Sequence, residues 1–396
     1  MSQVSLTVLS LFSGAGGMDV GLQRAGFHHL GLVEFGQRQR ETLARRPEWP
    51  LLGSGDVNEL AASLRPSDLG IQRGDLSLIA GGPPCQPFSM AAQWAASGRR
   101  GMLDGRAKTV VSTLALVEEF LPRAILMENV MGFVQGQRSA LPFLREELSR
   151  ISARRGVNYN LSVRVLNAAD YGVPQNRRRA IVVALRDGDD FVWPEPTHES
   201  APITAWDALH NVHSVSHPRS KGKWTALLPS IPEGSNYQWL TKRGGGPELF
   251  GYRTKYWNFL LKLSKDLPSW TLSASPGPST GPFHWDNRPL SVEEQLRIQS
   301  FPDGWELSGD YREQTLQAGN ATPPLLAEVV GLALAAHVSE GRVRPRSPSL
   351  LLDRAAMRPS SGRVQPIPPE FHALVGSKEP HAGAGHGPSP RAALVD

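Results

Sequence analysis

Leu6-Thr7-Val8-Leu9-Ser10-Leu11-Phe12-Ser13-Gly14-Ala15-Gly16-Gly17 is the stretch that sets the fold class. Residues 6–12 are a short apolar run with the length of a buried strand, ending in a glycine turn before a helix-like stretch that reaches Ala25. Strand, glycine turn and helix open a nucleotide-binding α/β unit, where the turn brings backbone N–H groups against a ligand. Working outward, residues 30–33 read as a second strand ending at Glu34. Residues 76–80 read as a buried strand, 106–120 as a helix, and 124–127 as a strand ending at Glu128. Residues 142–154 read as a helix, and 161–166 and 180–185 as further strands. This alternation predicts an α/β fold over residues 1–186: a doubly wound, mostly parallel sheet with helices on both faces. After Arg186 the period disappears into Trp, Pro, Gly and basic residues, which predicts a separate smaller domain over 187–287. Residues 288–340, with helices over 291–300 and 325–337, are expected to return to the first domain. From Gly341 to Asp396 there are eight Lys/Arg, four acids, nine prolines and six glycines, a composition that predicts a disordered tail adding little beyond phosphate affinity.

With 40% hydrophobic and 20% charged residues the chain can bury a substantial core. A single cysteine excludes an internal disulfide framework and a cysteine-rich zinc site, and fits a reducing cytoplasm. Nowhere do eighteen apolar residues follow one another, so no membrane partner is expected. The net charge of +5 is mild, but nine Lys/Arg against two acids fall between Arg219 and Lys265, interleaved with Trp224, Trp239 and Trp257. Basic residues among aromatics predict a nucleic-acid surface.

The one cysteine, Cys85, stands in Gly81-Gly82-Pro83-Pro84-Cys85-Gln86-Pro87-Phe88-Ser89. Prolines on both sides stiffen the loop, and the two glycines permit close backbone approach. A buried cysteine gains nothing from such a loop, whereas a nucleophile gains its aim. The nonapeptide resembles the catalytic loop of the DNA cytosine-5 methyltransferases of bacterial restriction–modification systems, and further blocks between Leu9 and Ala335 follow in that family's order.

The resemblance implies S-adenosyl-L-methionine as cofactor, no metal, and double-stranded DNA as partner. Phe12, Ser13, Gly14, Ala15, Gly16 and Gly17 would line the cofactor together with Pro83. Glu34 would accept from the ribose hydroxyls, and Asp56 from the adenine amine with Val57 against the ring. Asn320 and Thr322, in Gln317-Ala-Gly-Asn-Ala-Thr-Pro-Pro, would close the site, although the family more often has Ser-Val where this chain has Ala321-Thr322. Cys85 would attack cytosine C6, turning the ring into an enamine with a nucleophilic C5. A free thiol is only a few per cent ionised at neutral pH, so a nearby arginine would help. Glu128, in Met127-Glu128-Asn129-Val130, matches the glutamate that holds N3 and the exocyclic amine. In Gln175-Asn176-Arg177-Arg178-Arg179, alternate residues share a side if the segment is extended. Arg179 would reach the cytosine O2 and Arg177 would steady the glutamate or a phosphate. Gln175 would share that DNA-facing side, and Arg178 would meet the backbone.

Reaching C5 and C6 in a duplex requires flipping the base out, with Ser89 and Gln93 as candidates to fill the gap. The 187–287 region corresponds to the family's target recognition domain, with Thr271 of its Thr-Leu signature near the flipped nucleotide's phosphate. Arg243, Arg253 and Lys255 are candidates for reading guanine edges. A monomer paired functionally with a restriction endonuclease is expected. Transfer RNA as substrate, or an inactive DNA-binding regulator on the same scaffold, are the alternatives.

Overall fold

The computed structural model describes residues 5–84, 108–137, 139–213, 218–220, 222–251, 257–342 and 346–376. Its centre is a six-stranded sheet built from β1 (Leu6–Leu11), β2 (Phe27–Val33), β3 (Leu78–Gly81), β4 (Ala124–Asn129), β5 (Asn160–Asn167) and, after a two-residue β6 (Gln175–Asn176), β7 (Arg178–Leu185). The strand order is β2-β1-β3-β4-β7-β5. The first four strands are parallel, while β7 pairs antiparallel with both β4 and β5. The predicted mostly parallel sheet is present, with one reversed strand that apolar runs alone do not reveal.

Alternation along each strand feeds two cores. Leu6 and Val8 of β1, Leu78 and Ala80 of β3 and Leu126 of β4 face one side, whereas Leu9, Leu11, Ile79, Ile125 and Met127 face the other. On the first face lie α1 (Gly17–Arg24) and the distant α9 (Pro324–Val338). They approach so closely that a Cβ on Gly21 would lie 2.3 Å from the Pro324 carbonyl. The apolar α9 thus brings residues 324–338 back against the first helix of the chain. On the other face lie α3 (Val57–Ser63), α4 (Lys108–Phe120) and α5 (Leu141–Arg155), and α2 (Gln37–Leu43) flanks the cofactor-side loops.

The region after Arg186 opens with α6 (Ala205–Leu209) and continues through 3-10 turns at Lys223–Ser230 and Tyr237–Leu240. Its own core gathers Leu227, Tyr237, Phe250, Phe259 and Leu260. It rejoins the catalytic region through β8 (Ser269–Trp270), which pairs parallel with β6. A small shared core of Ala205, Leu209, Leu263 and Leu272 with Leu290 and Ile298 brings in α7 (Val292–Ile298). Then comes α8 (Tyr311–Asn320), a helix the sequence reading did not predict.

Two expectations are corrected here. The tail is not disordered over 346–376: it packs across the molecule, and Ile367 and Phe371 are buried in the second domain's core, Phe371 stacked 5.7 Å from Trp224. A Pro-rich composition hid two well-placed apolar anchors. The basic, Trp-rich stretch is also partly structural. Lys262 and Lys265 are buried, donating to Asn287 Oδ1 at 2.9 Å and to Glu233 Oε1 at 2.6 Å.

Candidate active site

The strand order puts β3 between β1 and β4, so three features leave the sheet side by side at the strands' carboxyl ends: the glycine turn, the loop leading to Cys85, and Glu128. That edge, where connections diverge from β1 in opposite directions, is where doubly wound sheets bind ligands.

The glycine turn is shaped by positive φ at Phe12, Gly14 and Gly16. A Cβ on Gly17 would lie 2.2 Å from the Thr322 carbonyl, so this turn and the Asn320–Thr322 block meet although they are some three hundred residues apart. Gly16 N donates to Ser13 O at 2.8 Å, and Ala15 O accepts from Trp305 Nε1 at 3.2 Å. The ends of β1 and β2 are tied by Glu34, whose carboxylate accepts from Gly14 N at 2.8 Å and Gly36 N at 2.7 Å. Burial pushes this carboxyl above the usual range, opposed by those two N–H donors. Arg40 sits behind it, donating to the Glu34 carbonyl at 3.1 Å and the Gly53 carbonyl at 2.9 Å. Gly55, at φ +81, is so near that a Cβ there would overlap the Glu34 carbonyl. Asp56 caps α3 through Oδ1, which accepts from Asn58 N at 2.8 Å, and Val57 is buried in the core beneath. The sequence reading missed Phe35, 75% exposed directly after Glu34. Its only signal was its position.

Across the sheet, Gly82 lies against Glu128, whose Oε2 would be 3.6 Å from a Cβ there. Asn129, also missed, is buried and donates from Nδ2 to the Pro83 carbonyl at 2.9 Å, while its Oδ1 accepts from Val130 N at 2.9 Å. It fastens the start of the Cys85 loop to the end of β4. Glu128 is 8% exposed, with Oε1 3.0 Å from Arg179 Nε. The β4–β7 register, which pairs Asn129 with Ala180, delivers Arg179 to that carboxylate.

The structure corrects two residues of the Gln-x-Arg-x-Arg segment. Arg177 is buried, and its guanidinium donates to the carbonyls of Gly319 at 3.0 Å and Ala321 at 2.9 Å. Gln175 is fully buried rather than facing DNA, donating to Gln299 Oε1 at 2.8 Å and accepting from Leu272 N at 3.1 Å. The expected alternation holds, but the shared side is the interior, because the end of α8 and the β8 region cover it. Arg178 is exposed, and Thr271 is exposed with its hydroxyl on the Asn176 carbonyl at 2.7 Å. Asn320 is exposed at the end of α8 and Thr322 is half-buried. Arg243 is exposed in the second domain. Cys85, Ser89, Gln93, Arg253 and Lys255 lie outside the described residues.

Residues 6–336 match the family model for C-5 cytosine-specific DNA methylases. The chain belongs to that family. The methylase is 35% identical to the type II methyltransferase M.SacI of Streptomyces achromogenes over 83% of this chain and 92% of that relative. It is 33% identical to M.Eco47II of Escherichia coli over 82% of this chain and 78% of that one. Among solved structures it resembles a prophage-encoded DNA modification methyltransferase of E. coli, with TM-score 0.60 and 25% identity over 85% of this chain and all of that one. The methyl donor of this methylase is S-adenosyl-L-methionine, and the residues present fit it. Glu34 offers carboxylate oxygens at the end of β2 beside the positive-φ turn at Gly14, and Phe35 next to it offers an open aromatic face.

Proposed function

We propose that this methylase transfers a methyl group to C5 of cytosine within a specific double-stranded DNA sequence, acting on a base turned out of the helix, and that it protects that sequence from a cognate restriction endonuclease. It acts as a monomer in the cytoplasm. The observation that supports this most is the Glu128–Arg179 pair beside Gly82, where the loop to Cys85 begins.

S-adenosyl-L-methionine, when bound, supplies an electrophilic methyl group. Phe12, Ser13, Gly14, Ala15, Gly16, Gly17 and Pro83 would line its site, Glu34 would accept from the ribose, Asp56 and Val57 would hold the adenine, and Asn320 and Thr322 would close the far side. Phe35, exposed beside Glu34, would offer its ring to the adenine. Asp56 has one carboxylate oxygen committed to its helix cap, so the other serves the amine. The Cys85 thiolate adds to C6 of the flipped cytosine, and a proton taken up from solvent and held between Glu128 and N3 neutralises the electron pair pushed into the ring, while Glu128 also accepts from the exocyclic amine. Arg179, ion-paired with Glu128, fixes that carboxylate and meets the base on its O2 side. C5 is thereby made nucleophilic. Once C5 is methylated its proton is removed and Cys85 is eliminated, restoring the aromatic ring. Arg178 and Thr271 contact phosphates, and Ser89 and Gln93 fill the gap in the helix. Arg243, Arg253 and Lys255 read base edges from the second domain.

The test is incubation of unmethylated plasmid and genomic DNA with the purified protein and cofactor, read by single-base 5-methylcytosine sequencing. Methylation confined to one short motif, abolished in Cys85→Ala, is the expected result. Methylation by Cys85→Ala at the normal rate would overturn the mechanism, and methyl transfer to tRNA in preference to DNA would overturn the substrate.

A further inference from the structure

The family match ends at residue 336, yet residues 346–376 are laid across both domains. Their first anchor is Glu328. This carboxylate sits at 1% exposure on the otherwise apolar α9, a costly place for a charge unless donors surround it. The donors come from the extension: Ser349 N and Oγ reach Oε1 at 2.7 and 2.8 Å, and Leu350 N reaches Oε2 at 3.0 Å. A residue inside the catalytic region therefore has its partners outside the family-matched segment.

The chain then runs over the joint between the domains. Ala355 N donates to Asp207 Oδ1 at 2.9 Å, the Met357 carbonyl accepts from Trp206 Nε1 at 2.8 Å, and Arg358 pairs with Asp266 at 2.7 Å. The last anchor is in the second domain, where Ile367 and Phe371 complete the apolar core. Polar bonds flank it, with Gln365 N on the Pro229 carbonyl at 2.8 Å and Gly376 N on the Glu248 carbonyl at 2.7 Å.

We propose that residues 346–376 are a positioning strap that holds the second domain at a set angle to the catalytic domain, and through that angle sets the methylase's affinity and selectivity for its DNA site. The inference rests on the DNA-methylating reading above. Domains in one chain move relative to each other unless their interface is large, and among the described residues the direct connection includes the two-residue β6–β8 ladder, the bonds of Thr271 to Asn176 and Leu272 to Gln175, and one small shared core. A link anchored at both ends keeps the two surfaces that must grip one duplex at high effective concentration, so the orientational cost of DNA binding is met before DNA arrives. Glu328 and Phe371 are its positioning residues, and neither touches substrate.

The experiment inserts a protease site between Pro359 and Ser360, both exposed, in the full-length protein, and cuts it after folding. Each half stays docked on its own anchor, which co-elution of the released half with the body verifies. Cutting is expected to raise KM for DNA about tenfold and to increase methylation of near-cognate sites relative to the cognate one. The KM for S-adenosyl-L-methionine and the single-turnover rate at saturating DNA stay within about twofold, because the catalytic residues are untouched. Small-angle scattering of the DNA-free protein is expected to show a wider spread of domain arrangements after cutting. In uncut protein, Glu328→Gln should move KM for DNA the same way, because an amide turns an N–H group toward donors, and Phe371→Leu should largely preserve the wild-type values. Unchanged DNA KM, site selection and scattering after cutting would overturn the strap and leave it as core filling. Scattering does not depend on turnover, so an intact protein that fails to methylate DNA refutes the functional reading without deciding the strap.

Discussion

Arg178 and Arg179 are neighbours in sequence and opposites in setting. Arg179 is largely covered and paired with Glu128, while Arg178 is exposed. Removing Arg179 strips a buried carboxylate of its cation at the point where charge moves onto the base, so Arg179→Ala should lower the single-turnover rate about 100-fold or more. Removing Arg178 would take away only the phosphate contact proposed for it. Arg178→Ala should weaken binding evenly across sequences and reduce the salt slope of log K by about one, with the chemical step unchanged. Rapid-quench methyl transfer alongside a salt titration of DNA binding separates the two, and equal effects of both variants on the chemical step would refute the distinction. Lys262 is a cation of another kind. Burial pushes its ammonium down to about 8 from the ordinary 10.5. The folded protein holds this proton less tightly than the unfolded chain, so stability rises with pH across that window and the full cost of the buried charge is felt below it. Lys262→Met loses the bond to Asn287 but removes the charge, for a net gain of about 1–2 kcal/mol at pH 7. Denaturant melts at several pH values should show this gain shrinking from about pH 8 upward, with DNA affinity unchanged. A variant less stable than the parent at pH 7 would refute it.

At the scale of elements, the segment from Gln175 to Arg177 is a junction. Gln175 joins the end of α7 to the β8 strand through Gln299 and Leu272, and Arg177 holds the last turn of α8 through Gly319 and Ala321. Gly319 lies so close to the β8 side that a Cβ there would be 2.5 Å from Ala274 Cα. Arg177→Ala would take a donor from the Gly319 carbonyl, leave the Ala321 carbonyl only its long 3.4 Å bond from Gln299 Nε2, and open a large void, which should cost about 3–5 kcal/mol. The Asn320–Thr322 block would loosen with it, so KM for S-adenosyl-L-methionine should rise well before kcat falls. A variant with wild-type melting and cofactor KM would refute the brace. The Gln-x-Arg-x-Arg pattern gave away its alternation but not the side it faces, because its partners arrive 97 to 144 residues later. The same limit hid the reversed direction of β7, since an apolar strand reads alike either way. The helix α8 escaped for a different reason. Its buried residues are Thr315, Gln317, Ala318 and Gly319, so it has no apolar stripe, and its readable signal was the capping box between Asp310 and Glu313. By contrast, β1 with its glycine turn, Glu34 at the end of β2 and Glu128 at the end of β4 were legible. In each case the chemistry follows an apolar run, and the parallel sheet brings those ends together.

For the whole molecule, the closure of both domains depends on sequence that composition marks as dispensable. The catalytic region closes by α9 against α1, and the second domain closes by Phe371 and Ile367 arriving from beyond α9. Shortening the chain therefore has two outcomes separated by a few dozen residues. Ending it after Gly376 removes none of the contacts described above, so melting temperature and methylation pattern should match the full chain. Ending it after Glu340 empties the Phe371 position, where losing one buried aromatic costs about 3–5 kcal/mol, and strips Glu328 of the three donors from Ser349 and Leu350. Losses of that size are comparable with the whole stability of a domain. The second domain should then become susceptible to proteolysis between Gly222 and Leu260 while the catalytic region, whose cores do not include Phe371, still melts cooperatively and binds S-adenosyl-L-methionine. Limited proteolysis and cofactor titration on the two truncations check this. A chain ending at Glu340 that resists protease as the full chain does would show that the second domain's core is complete without its late-arriving anchors.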